Sequence, residues 1–135
     1  PVRMLSRYSM VRGVPSSELP KGIRQDTRKH TSHVLRPTTE LVDAFLGHTD
    51  EATFRVFEAR YRALLEARFA EDRKPFDELV ELARTNDVYL GCSCPTKKNP
   101  DVRHCHTVVA LHFLAERYPA LEVRFPAASR PKSRA

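Results

Sequence analysis

This chain of 135 residues has no tryptophan, four glycines and three cysteines. Each scarcity excludes something. Without tryptophan, and with aromatics at 8% of the chain, there is no interleaved aromatic platform of the kind on which nucleobases stack. No apolar run approaches the roughly 18 residues needed to cross a bilayer, so no membrane partner is expected. Three cysteines, an odd number, do not make a secreted disulfide framework and point to a reducing, cytoplasmic setting. The opening Pro1-Val2-Arg3-Met4 carries no signal-peptide apolar core. Acid is missing from the end, where Arg124, Arg130, Lys132 and Arg134 stand without a single Asp or Glu.

Charge is unevenly spread around a net +6. Residues 1–36 hold eight Lys/Arg against Glu18 and Asp26, whereas residues 37–123 hold eleven against fifteen acids. An acidic middle between basic ends fits solvated, disordered termini. The same ends would support weak, non-specific nucleic-acid binding by counterion release. At this length one α/β domain over residues 1–125 is expected, followed by a basic, disordered tail at 126–135.

Val2 to Val11 has an imperfect strand pattern, and Gly13 to Gly22 is rich in turn residues. Arg24 to Leu35 is polar and suggests no element. Thr38 or Thr39 is the expected cap of a helix whose apolar face is Leu41, Val42, Phe45 and Leu46, ending at Gly47. Thr49 is the expected cap of a longer helix with Phe54, Phe57, Tyr61, Leu64, Leu65 and Phe69 at spacings of three and four. Its charged residues Glu58, Arg60, Arg62, Glu66 and Arg68 read as a solvated face. Pro75 opens a third helix. Val88, Tyr89 and Leu90 read as a buried central strand before Gly91.

A helix from about His104 to Tyr118 follows, in which His112 reads as a hydrogen-bonded core residue. Alternation at Leu121, Val123 and Phe125 predicts a closing strand and a βαβ unit. The fold class expected is α/β: a small three-layer domain with a short, mostly parallel sheet flanked by helices.

All three cysteines fall within one stretch between strand end and helix start: Cys92, Cys94 and Cys105, the last flanked by His104 and His106. Three accounts of it stand open. An anion or nucleotide would bind at the helix N-terminus, with Lys97, Lys98 and Arg103 as charge clamp and Cys92, Cys94 and His104 alongside. Cys105 would then be the candidate nucleophile or thiolate and His106 its proton partner. Alternatively, Cys92, Cys94, Cys105 and His106 would bind zinc in a non-catalytic module, though the spacing is not that of a zinc ribbon. The third account is plain packing of small hydrophobes. On the first and last readings no cofactor is expected.

Leu35-Arg36-Pro37-Thr38-Thr39-Glu40-Leu41-Val42-Asp43-Ala44-Phe45-Leu46-Gly47 is followed by Ala52-Thr53-Phe54-Arg55 and Tyr61-Arg62-Ala63-Leu64-Leu65. Together they resemble the YeaO-like branch of the domain of unknown function 488 family, in which a P-S/T-T-E-L-R-x-A-F-x-G helix precedes an F-x-x-x-Y helix. The resemblance spans roughly residues 35–118, about two-thirds of the chain. It implies a compact α/β fold, with His106 matching a histidine that opens the last helix, and brings no established reaction. That branch often has Ser or Lys at the positions of Cys92 and Cys94 and Asn at that of Cys105. Other members of the family place a Cys-His pair where Cys105-His106 stands, which favours the pair over an obligatory metal.

Overall fold

The computed structural model describes residues 3–126. Strand β1 (Leu5–Ser9) is followed by a one-turn 3-10 segment at Ser16–Glu18 and by β2 (Ile23–Asp26). Helices α1 (Thr39–Leu46), α2 (Glu51–Glu71) and α3 (Lys74–Thr85) come next. The chain then enters β3 (Val88–Cys92), a short 3-10 turn at Val102–His104 and α4 (His106–Arg117). The sheet order is β1-β3-β2 and both pairings are parallel, Leu5 opposite Val88 and Ile23 opposite Val88 in register. This is a small α/β domain.

β3 is the central strand and its residues Val88, Leu90, Gly91 and Cys92 are buried, as a parallel strand paired on both sides should be. Helix α4 touches β1 and β3 on one side and α2 on the other, and α2 in turn carries α1. That position explains why α4 is buried nearly all round, from His106 to Leu111 and at Phe113 and Leu114. Its far end joins an aromatic cluster of Phe69, Phe76, Phe113 and Tyr118, with ring centroids 5.3–6.3 Å apart. Each such ring removed from water contributes about 1.5–3 kcal/mol.

Local signals account for the helix starts. Thr38 accepts a hydrogen bond from the Leu41 amide and caps α1, as its sequence position predicts. The cap of α2 is Asp50 rather than Thr49: the Asp50 carboxylate accepts from the Thr53 amide at 2.7 Å. A charged acceptor at a helix N-terminus is the stronger cap, and Thr49 is free to donate to the Lys98 carbonyl instead. Pro75 lies in the first turn of α3, where its missing N–H has no helical partner to lose.

Four further expectations are corrected here. Residues Ile23–Asp26, which suggest no element by composition, form β2, because pairing with β3 supplies their backbone hydrogen bonds. Leu121 to Phe125 does not form a strand: Val123 makes a single parallel bridge with Leu5 at the outer edge of β1. His112 is exposed and stacks on Phe125 at 4.3 Å, since it lies on the one stripe of α4 that faces neither sheet nor α2. The charged face of α2 is also not simply solvated: Arg68 donates to the Val34 and Arg36 carbonyls, and Arg62 and Glu66 pair with Glu116 and Arg117 of α4.

The basic N-terminal third is not a disordered arm either. From Arg3 onward it supplies two strands, and Arg7 is buried. The expected tail at 126–135 lies outside the described residues apart from Pro126.

Candidate functional site

Parallel pairing brings the carboxyl ends of all three strands to one edge, the place where open α/β sheets build their sites. β1 delivers Arg7 and Ser9 there, β2 leads into Thr27 and Arg28, and β3 ends at Cys92. The chain then loops through Cys94, with a cis Cys94–Pro95 bond, and returns to the N-terminus of α4 at Cys105. Cys105 has extended backbone and occupies the cap position of α4, so the helix starts at His106 rather than at His104.

The sulfurs of Cys92, Cys94 and Cys105 all lie within 4.8 Å of one another, and none is in a disulfide. By spacing this cluster can hold a metal ion. Cys92 and Cys105 are buried, whereas Cys94 is half-buried. Each sulfur has a polar neighbour. Thr107 donates its hydroxyl to Cys105 Sγ at 3.0 Å, and Asn99 Nδ2 donates to Cys94 Sγ at 3.3 Å. His106 Nδ1 lies 3.7 Å from Cys92 Sγ.

The histidine's orientation is fixed from its other side. Thr27 donates its hydroxyl hydrogen to the Gly91 carbonyl, so its oxygen is left to accept. His106 Nε2–H donates to that oxygen at 2.9 Å and to the Thr27 carbonyl at 3.0 Å. Nε2 therefore carries a proton and Nδ1 is the atom turned toward the sulfurs.

Arg7 sets the charge of this corner. It is 9% exposed, and among the described residues no carboxylate pairs with it. Its Nε donates to the Thr107 hydroxyl at 2.8 Å, and its Nη2 donates to the Cys94 carbonyl at 2.7 Å. A buried cation without a counter-ion is costly. Thr107 connects it to Cys105, accepting from Arg7 Nε and donating to Cys105 Sγ.

The titration directions agree. Burial opposes ionisation of Cys105, but hydrogen bonds from Cys92, Cys94 and His106 outweigh it and hold that thiol well below its ordinary value. Its neighbours move the other way. Hydrogen bonds with Cys105 and Cys94, followed by burial, push Cys92 far up, and the bond with Cys105 pushes Cys94 up to about 11. Burial would lower His106, yet bonds with Cys105 and Cys92 raise it to about 10. Within the cluster Cys105 is thus held down while Cys92, Cys94 and His106 are pushed up.

A cavity of about 250 Å³ opens over this cluster, with the three sulfurs and His106 on its wall. Val42, Phe45 and Phe57 supply apolar lining, and Arg28, Lys29 and His30 supply its basic residues. Asp26 grips Arg28 through Nε at 3.0 Å and Nη2 at 2.8 Å, which fixes the guanidinium plane.

The clamp expected from Lys97, Lys98 and Arg103 is not at this cavity. Lys97 and Lys98 are exposed on the loop, and Arg103 is turned to Asp101 in an exposed pair at 2.7 Å. The loop's short turns point those side chains outward, while the end of β2 points Arg28 inward. His104 stacks on Phe54 at 4.4 Å and pairs with Glu51, which ties the loop to α2 while its ring borders the cavity. Arg7, Thr27, Arg28 and Asn99 belong to the site without any local sign in the sequence.

No curated protein and no solved structure matches this chain. Residues 2–118 match the family described as the active DUF488-N3 subclade, a span that takes in every strand, every helix and all the site residues above. The chain belongs to the domain of unknown function 488 family.

Proposed function

We propose that this protein is a thiol-dependent enzyme acting on a small anionic molecule, a nucleotide-sized metabolite or smaller. The observation that carries the reading is the environment of Cys105. Its sulfur sits at the cap of α4, receives the Thr107 hydroxyl that Arg7 polarises, and lines a cavity with Arg28 and Lys29. Helix N-termini and nearby cations are what turn a thiol into a nucleophile at neutral pH. His106 would return a proton to the leaving group. Arg28, held flat by Asp26, would bind the anionic group of the substrate.

Alkylation tests this directly. Neutral iodoacetamide and anionic iodoacetate are compared at pH 6.5, where an ordinary thiol is about 99% protonated. One rapidly alkylated thiol, lost in Cys105→Ser, is the expected result. Arg28→Ala should slow iodoacetate more than iodoacetamide. Three slow thiols in the metal-free protein would overturn the proposal.

The convergence of three sulfurs within 4.8 Å favours a second reading, zinc bound by Cys92, Cys94 and Cys105. His106 Nδ1 would be the fourth donor, oriented by Thr27 through its other nitrogen. An equivalent of zinc in protein purified without chelator, with all thiols silent until it is removed, would establish that reading in place of the first.

A further inference from the structure

The site holds more thiols than a single nucleophile needs. Cys94 and Cys92 each lie within 4.8 Å of Cys105 Sγ, so any sulfur-bearing adduct on Cys105 forms within reach of a second thiol. The two neighbours differ in freedom. Cys92 occupies the last ladder position of β3, opposite Ser9, and its carbonyl accepts from the Met10 amide at 2.8 Å. Cys94 lies beyond the ladder in the loop and is the most exposed of the three. Closing from this separation to the roughly 2 Å of a disulfide needs a small shift, which a loop residue makes without breaking the sheet.

From this juxtaposition we infer that Cys94 is a resolving thiol for Cys105, and that the substrate is a low-molecular-weight disulfide bearing carboxylates. The inference rests on the proposal of a reactive Cys105 and deepens it. Arg28 and Lys29, the latter also paired with Asp43 at 3.3 Å, offer charge to the carboxylates of such a molecule at the wall of the cavity of about 250 Å³.

The chemistry closes in two steps. The Cys105 thiolate attacks one sulfur of R–S–S–R′, the S–S bond breaks, and R′S⁻ leaves with the electron pair and takes a proton from His106. A mixed disulfide, Cys105–S–S–R, remains. Cys94 sulfur then attacks Cys105 Sγ and expels RS⁻, which receives the proton given up by Cys94. The substrate disulfide is reduced to two thiols and the protein is oxidised to a Cys94–Cys105 disulfide. A dithiol reductant restores the two protein thiols by the same exchange in reverse.

The test uses 5,5′-dithiobis(2-nitrobenzoate), an anionic aromatic disulfide, on the full chain at substoichiometric reagent. Wild type should release both halves of each reagent molecule and retain none. Its mass should fall by two hydrogens, with Cys94 and Cys105 peptides joined under non-reducing conditions. Cys94→Ala should react more slowly, since one donor to Cys105 is lost, but release only one half and keep the other on Cys105.

A wild-type protein that keeps the mixed disulfide on a fast Cys105 overturns the resolving role while leaving the reactive thiol intact. A link from Cys105 to Cys92 overturns the assignment to Cys94. A Cys105 without rapid reaction overturns both the inference and the proposed function beneath it.

Discussion

The two halves of α4 both carry buried residues, and these are chemically opposite. Toward its C-terminal end Phe113 and Leu114 are fully buried, with Phe69, Phe76 and the Arg117 guanidinium around Phe113, and the contacts are those of ring on ring and cation on ring. At its N-terminal end Cys105, His106 and Thr107 are as deeply buried but form a polar network that reaches to Arg7, Thr27 and Cys92. Apolar burial stabilises by area alone, whereas buried polar groups stabilise only where every partner is in place. A fold gains nothing by assembling a cation, an imidazole and three thiols where leucines would pack. On the proposed function, the contrast separates the end of the helix that holds the domain together from the end where it would act.

Substitutions should divide along the same line. The largest loss is expected from Phe113→Ala, about 3–5 kcal/mol for a fully buried ring. Denaturant unfolding would read that loss, and the alkylation rate of Cys105 in the folded protein should not change. A changed rate would show that the two ends are coupled.

Thr107→Val should cost less, about 1–3 kcal/mol, because Arg7 Nε is left without its acceptor. Unlike the first variant it should also slow Cys105 alkylation at pH 6.5. Stability lost with reactivity intact would break the proposed relay.

Asp50→Ala removes the α2 cap, for about 1 kcal/mol, with no effect on the thiol. Thermal unfolding and alkylation together check it.

An effect confined to acid concerns His33. Its Nδ1 accepts from the Leu35 amide and its Nε2–H donates to Gln25, and burial holds its pKa down at about 4. A histidine depressed in the folded state contributes stability that is full above its unfolded value near 6.5 and lost as pH falls toward 4. His33→Gln should flatten the decline of unfolding free energy between pH 6.5 and 4. An unchanged slope in that window would assign the decline to other groups.

How much of this was legible in the sequence depended on distance along the chain. The α1 cap at Thr38 and the stripe from Phe54 to Phe69 were readable because a helix is built from neighbours three and four residues apart. β2 was not, since Arg24, Gln25 and Asp26 become a strand only when β3, more than sixty residues later, lies beside them. Alternation at Leu121, Val123 and Phe125 misled for the converse reason: the pattern is there, but only Val123 meets a partner. In the site, the cysteines announced themselves by clustering. Arg7 and Arg28 did not, because nothing local distinguishes a buried or cavity-facing arginine from the solvated Lys97 and Lys98.

The bond from Arg7 to Thr107 joins residues 100 positions apart. Contacts of such separation form late, because the chain between them must first be organised. Until the first strand has docked beside the third, Cys105 lacks the cation that Thr107 relays to it. On the proposed function the reactivity of one sulfur would then serve as a clock: in a refolding experiment, rapid alkylation should appear only as the β1–β3 pairing closes.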